Sequence, residues 1–141
     1  MKPSFELLQH TADLRLRASA GSLPELVRIL SAGFYSCIGK LKTDPKHSYA
    51  DNLQFLSDAE PALLLRDYLA ELLYRFSTNH VAAVELKVKL FTELKLDIEA
   101  VFQSVNLESS ELLREVKAIT YHELELRHLP EEFQFTCTLD L

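Results

Sequence analysis

A chain of 141 residues, 48% of them hydrophobic, has the length of one domain and enough apolar side chains to fill a core. Its formal net charge is −6, and the basic residues fall singly or in pairs, as at Arg15 and Arg17, Lys40 and Lys42, Lys87 and Lys89. No basic stripe is offered to a phosphate backbone, so direct nucleic-acid binding is disfavoured. Three Gly, five Pro and no low-complexity block leave no long disordered arm. The start, Met1-Lys2-Pro3-Ser4-Phe5, leads into no apolar h-region, and nowhere do about 18 apolar residues run together, so a soluble, cytoplasmic protein without membrane association is expected.

From the N-terminus, Ser4 to Gln9 reads as a short strand. Asp13 to Ala20 sets Leu14, Leu16 and Ala18 against Arg15, Arg17 and Ser19, the period of two of a half-buried strand with a solvated Arg face. Ser22-Leu23-Pro24-Glu25 has capping-box spacing, and Leu23, Leu26, Val27, Leu30, Phe34 and Cys37 recur at helical intervals. A helix is predicted over 23–38, ended by Gly39. Lys42 to Ala50, with Asp44-Pro45, reads as a loop, and Asn52 to Leu56 as a short strand. Ser57-Asp58-Ala59-Glu60 is a second capping-box spacing, with Pro61 in the first turn of a helix that buries Leu64, Leu65, Tyr68, Leu69, Leu72, Leu73 and Phe76. Asp67, Glu71 and Arg75, four residues apart, form an exposed charge ladder, and Ser77-Thr78-Asn79-His80 stops the helix.

Ala82 to Leu90 and Leu94 to Val105 alternate and form a hairpin, with Val84, Leu86, Val88 and Leu90 on one parity of the first strand and Leu94, Leu96, Ile98, Ala100 and Phe102 on one parity of the second. Glu115 to His128 and Phe133 to Asp140 are two further strands. In the last, Phe133, Phe135, Cys137 and Leu139 point inward, which leaves Asp140 on the far side or the rim. The sum is one α+β domain spanning 1–141, in two layers, with six or seven mostly antiparallel strands and two amphipathic helices. Cys37 and Cys137 fall at apolar positions and are expected to be buried free thiols; no zinc motif occurs.

Two acidic groups stand apart from this framework. Asp13 closes His10-Thr11-Ala12-Asp13, and Asp140 is followed only by Leu141, so a side-chain carboxylate and a terminal one lie a residue apart if 141 is the true end. If Asp13 meets them, hard oxygen ligands suited to Ca²⁺ or Mg²⁺ converge. Spacing alone leaves the alternative open that Asp13 is a turn residue capping backbone N–H groups. Likewise His10 can orient its turn, and His122 reads either as a general base or as a hydrogen-bonded structural residue. Asp67 and Glu71 are explained by the charge ladder, and no G-x-S-x-G, Walker loop or H-E-x-x-H is present.

Four stretches in order, His10-Thr11-Ala12-Asp13, Asp67-Tyr68-Leu69-Ala70-Glu71-Leu72-Leu73-Tyr74, Val116-Lys117-Ala118-Ile119-Thr120-Tyr121-His122 and Leu139-Asp140-Leu141, resemble the archease family over nearly the entire chain. The resemblance implies a compact α+β domain with one mixed sheet. It implies an accessory protein that activates an RtcB-type tRNA-splicing RNA ligase by promoting metal- and GTP-dependent guanylylation of the ligase, and so multiple turnover. It also implies a Ca²⁺-type site at Asp13, Asp140 and Leu141, with Mg²⁺ and Mn²⁺ as other candidate ions, and a partner-activating role for Lys117. Leu14-Arg15 stands where the family usually has Ile-Gly, and Tyr68-Leu69-Ala70 where many members have Trp-Leu-Asn. Two other readings compete with the activator: a chaperone or specificity modulator of another RNA-modifying enzyme such as a methyltransferase, and a metal-dependent phosphohydrolase using Asp13 and Asp140.

Overall fold

A computed structural model describes residues 2–10 and 13–141. In chain order the elements are β1 (Ser4–His10), β2 (Asp13–Ala20), α1 (Leu23–Ile38), β3 (Gly39–Lys40), β4 (Thr43–Leu56), α2 (Pro61–Asn79), β5 (Val81–Phe91), β6 (Lys95–Val105), β7 (Glu111–Leu112), β8 (Ala118–Ile119), β9 (Glu125–His128) and β10 (Phe133–Asp140). The α+β class and the two helices are those expected. The strands are ten among the described residues, where six or seven were expected, and they divide among three sheets in place of one mixed sheet. All their pairings are antiparallel.

The five-stranded sheet runs β1-β2-β10-β8, with β9 also paired to β10. Strand alternation puts Leu14, Leu16, Ala18, Phe135, Cys137 and Leu139 on one face, where all are fully buried. Both helices pack there and also against the three-stranded sheet β4-β6-β5, so that Leu53, Leu96, Ile98, Ala100 and Phe102 join the same continuous core. At about 1.5–3 kcal/mol for each large apolar side chain removed from water, this cluster is the main source of stability.

Helix α1 begins as its sequence dictates, with the Glu25 N–H donating to Ser22 Oγ at 3.3 Å and Pro24 in the first turn. Gly39 ends it at φ 155°, and a Cβ there would lie 2.0 Å from the Glu111 carbonyl oxygen, so the β3–β7 pairing depends on glycine. Helix α2 starts later than its capping-box spacing suggested. Glu60 is the N-cap without a side-chain cap bond, while Ser57 Oγ accepts from the Ala59 N–H at 3.2 Å in a turn just upstream. Between the helices, Tyr68 Oη and Ser31 Oγ are 2.6 Å apart in the fully dry core.

Three strand readings need correction. The stretch 42–50 is not a loop, because β4 pairs with β6 from Thr43 onward; a register shift between Asp44 and Ser48 accommodates Pro45, which has no N–H to give. Residues 45–52 of this strand are all exposed, so no buried alternation marked it in the sequence. The expected strand over 115–128 is interrupted between β8 and β9, where Glu123 takes a left-handed φ of 52°. In β5 the alternation is broken by register shifts between Ala83 and Glu85 and between Val88 and Leu90, which leave Val84 and Leu90 exposed, and Leu94, expected on the same parity as Leu96 of the second strand, lies in the turn before β6 and is exposed.

Candidate functional site

The two ends of the chain meet side by side. β10 runs antiparallel to β2 along its full length, and the register pairs Asp140 with Asp13, Leu139 with Leu14 and Thr138 with Arg15. Because Leu139 and Leu14 are inward, Asp140 and Asp13 share the outward side at the end of the sheet. Directly opposed carboxylates on an antiparallel pair have Cβ atoms about 4.5–5.5 Å apart and repel each other. Among the described residues neither Asp forms an ion pair with a basic side chain.

The other side chains at this end follow from the same strand. Leu141 packs its side chain, partly buried, against the core. The Lys117 N–H donates to the Asp140 carbonyl at 2.7 Å, and Ala118 is the register partner of Asp140. Lys117 is exposed, and it stands just outside β8. Asp13, Asp140, Leu141 and Lys117 are thus brought to one end of one sheet. Thr11 and Ala12 lie outside the described residues, as does the His10 side chain with the turn-orienting role considered for it. Among the described residues no group of three His, Cys, Asp or Glu side chains comes together. The donor set in view is therefore two carboxylates with main-chain oxygens of the same strand ends beside them. Such hard oxygens fit Ca²⁺ or Mg²⁺ and suit a soft metal poorly.

Sequence reasoning missed Arg66. From α2 its Nε donates to the Ile119 carbonyl at 3.0 Å, its Nη1 to Asp67 Oδ1 at 2.9 Å, and its guanidinium lies 4.2 Å from the centre of the Tyr121 ring. It thereby pins the segment that carries Lys117. The only signal was its place beside Asp67, which was read as part of a ladder. Of that ladder, Glu71 accepts from Arg75 Nε at 2.7 Å, while Arg75 Nη2 also reaches Asp51 at 2.8 Å. The His122 ring is exposed, 3.7 Å from the Glu123 carboxylate, and the His122 backbone N–H donates to Thr120 Oγ1 at 3.2 Å. Burial pushes the Cys37 and Cys137 thiols up to about 11 and about 12, as expected of core thiols.

Fold and site together describe a small α+β domain that zips its second and last strands together and presents opposed acids at their ends. That description is matched across the chain. The family model described as "Archease protein family (MTH1598/TM1083)" aligns with residues 5–141, and the chain belongs to this family. Protein archease of Methanosarcina barkeri is 26% identical over 97% of this chain and 95% of its own length. Protein archease of Pyrococcus furiosus is 30% identical over 90% of each. The fold is that of the solution structure of protein 1598 from Methanobacterium thermoautotrophicum, with a TM-score of 0.74 at 21% identity over 98% of this chain and 99% of that one. Among the described residues no helix is long and apolar enough to cross a membrane.

Proposed function

We propose that this protein is a non-catalytic, cytoplasmic activator of an RtcB-type tRNA-splicing RNA ligase, raising the metal- and GTP-dependent guanylylation of the ligase and supporting its multiple turnover. Asp13, Asp140 and Leu141 hold a divalent cation. Ca²⁺ suits this donor set best, with Mg²⁺ and Mn²⁺ as competitors. Lys117 bears on the partner from the same end of the sheet. Membership of the archease family supports the reading, and the single observation that carries it is the register of Asp140 on Asp13. Opposed carboxylates at an exposed sheet end cost stability unless a cation lies between them.

The test is guanylylation of the purified ligase with GTP, with and without this protein. Substoichiometric wild-type protein is expected to raise the rate and the number of turnovers, and Asp13→Ala and Lys117→Ala to lose most of that rise. The protein alone is expected to leave GTP and RNA unchanged. A ligase rate indifferent to the wild-type protein refutes the activator role. Metal-dependent phosphoester hydrolysis by the protein alone, abolished in Asp13→Ala, would replace it with an enzymatic one.

A further inference from the structure

The outward face of the five-stranded sheet carries a second row of polar groups next to the acids. Moving along β2 and β10 from the Asp13–Asp140 pair, the next outward pair is Arg15 with Thr138, and the next is Arg17 with Thr136. Successive outward rows are about 7 Å apart. Thr138 is 5% exposed, and its Oγ1 is enclosed without a hydrogen-bond partner among the described residues. Buried hydroxyls are ordinarily satisfied, so a lone one beside a guanidinium calls for an explanation. Arg17 Nε donates to Thr136 Oγ1 at 3.2 Å, and Arg17 enters no ion pair among the described residues. Glu6 is its register partner on β1, and Glu125 that of Thr136 on β9.

Arg15 is held by the Glu123 carboxylate. Glu123 reaches it from the turn after β8, where the Thr120 N–H donates to the Thr138 carbonyl at 2.9 Å. A left-handed φ of 52° is an unfavourable conformation for Glu, and no β-sheet pairing holds this residue in place. Arg15 and Thr138 are register partners on the outward side of β2 and β10, with the hydrogen-bonded Arg17 and Thr136 one row further along. An acceptor-rich anion is able to satisfy a guanidinium fork and a neighbouring hydroxyl together.

We propose that the Arg15–Thr138 row is a binding site for a phosphate group, and that Glu123 is a tethered carboxylate competing for the same guanidinium. A phosphate oxygen takes the place of the Glu123 carboxylate on Arg15 and accepts from Thr138 Oγ1, while Arg17 and Thr136 flank it. The planar fork of arginine binds carboxylate and phosphate in the same bidentate manner, so the exchange needs no rearrangement of β2. The Asp13–Asp140 pair one row away sets the polarity of the site: a polyphosphate with its phosphoryl group on Arg15 would direct its remaining charge away from the acids, or toward a cation they hold.

The experiment is amide NMR during titration with inorganic phosphate and, separately, with pyrophosphate. EDTA in the buffer makes the outcome independent of the cation proposed above. In wild-type protein, saturable shifts are expected at the amides of Arg15, Thr138 and Glu123. Glu123→Gln removes the competitor and keeps the shape, and is expected to tighten binding about tenfold. Thr138→Val removes the hydroxyl at constant volume and is expected to weaken it about tenfold. Tighter binding of pyrophosphate than of phosphate would identify a polyphosphate as the ligand. If folded Glu123→Gln protein shows no saturable shifts at these amides with either anion, or binds no more tightly than wild type, the proposal is wrong.

Discussion

Asp140→Asn is expected to reverse its effect on stability when calcium is added. In EDTA the wild-type chain holds two carboxylates at register-paired positions. With Cβ atoms about 5 Å apart, two unit charges in water repel by about 0.8 kcal/mol, and salt reduces this further. Replacing one carboxylate by an amide of the same shape removes that repulsion, so the variant is expected to melt at or slightly above wild type in EDTA, by about 1–3 °C. Calcium at 100 times its dissociation constant adds about 2.7 kcal/mol to a protein that binds it only when folded, or roughly 6–13 °C for a domain of this size. The variant, which has lost one ligand, is expected to gain much less, so wild type overtakes it. Thermal melts followed by circular dichroism suit a chain with no tryptophan. Equal calcium-induced shifts in both proteins, or a variant clearly less stable in EDTA, would refute the claim that these two carboxylates share a cation.

The pair Ser31 and Tyr68 is expected to show strong non-additivity in urea unfolding. Ser31 Oγ donates to the Val27 carbonyl at 2.7 Å, so the Tyr68 hydroxyl is the donor in the 2.6 Å contact. Ser31→Ala strands that hydroxyl in a dry core and should cost about 1–3 kcal/mol, Tyr68→Phe about 1 kcal/mol, and the double variant less than their sum. Gly39→Ala drives a Cβ into the Glu111 carbonyl, and loss of about 2 kcal/mol or more is expected, with faster amide exchange across β3 and β7. The core thiols should resist a disulfide reagent at pH 8 until denaturant is added. Because Cys37 and Cys137 titrate near 11 and 12 in the folded chain and near 9 when unfolded, their contribution to stability is full below about pH 9 and falls as pH rises toward 11–12; urea midpoints at pH 8, 9 and 10 read this. Arg66→Gln is expected to speed amide exchange between Ala118 and Glu123 with little change in global stability.

The helices were legible because their information is local. The Ser22 cap, Pro24 and the spacing of Leu26, Leu30 and Phe34 dictate α1 without reference to any other part of the chain. Of the long strand β4 only the end, Asn52 to Leu56, was legible, since the exposed stretch from Pro45 to Asn52 buries neither of its faces and owes its shape to pairing with β6. The same dependence on partners hid the breaks in β5 and the turn at Glu123: a register shift is a property of two strands, and neither sequence records it alone.

The candidate site divides along the same line. Each acid was visible as an unusual residue at a strand end, and the parity of Leu139 correctly placed Asp140 outward. What spacing could not supply was that β10 lies against β2 rather than at an edge, because that adjacency is fixed by the burial of Phe135, Cys137 and Leu139 beside Ala18, Leu16 and Leu14. The apolar faces zip the strands and thereby set the register. The register in turn forces Asp13 against Asp140 whether or not the contact is favourable in itself. An acidic pair held together by a core that neither acid belongs to is what the cation proposed above would offset. That is why its loss should be felt more in cation-dependent behaviour than in folding.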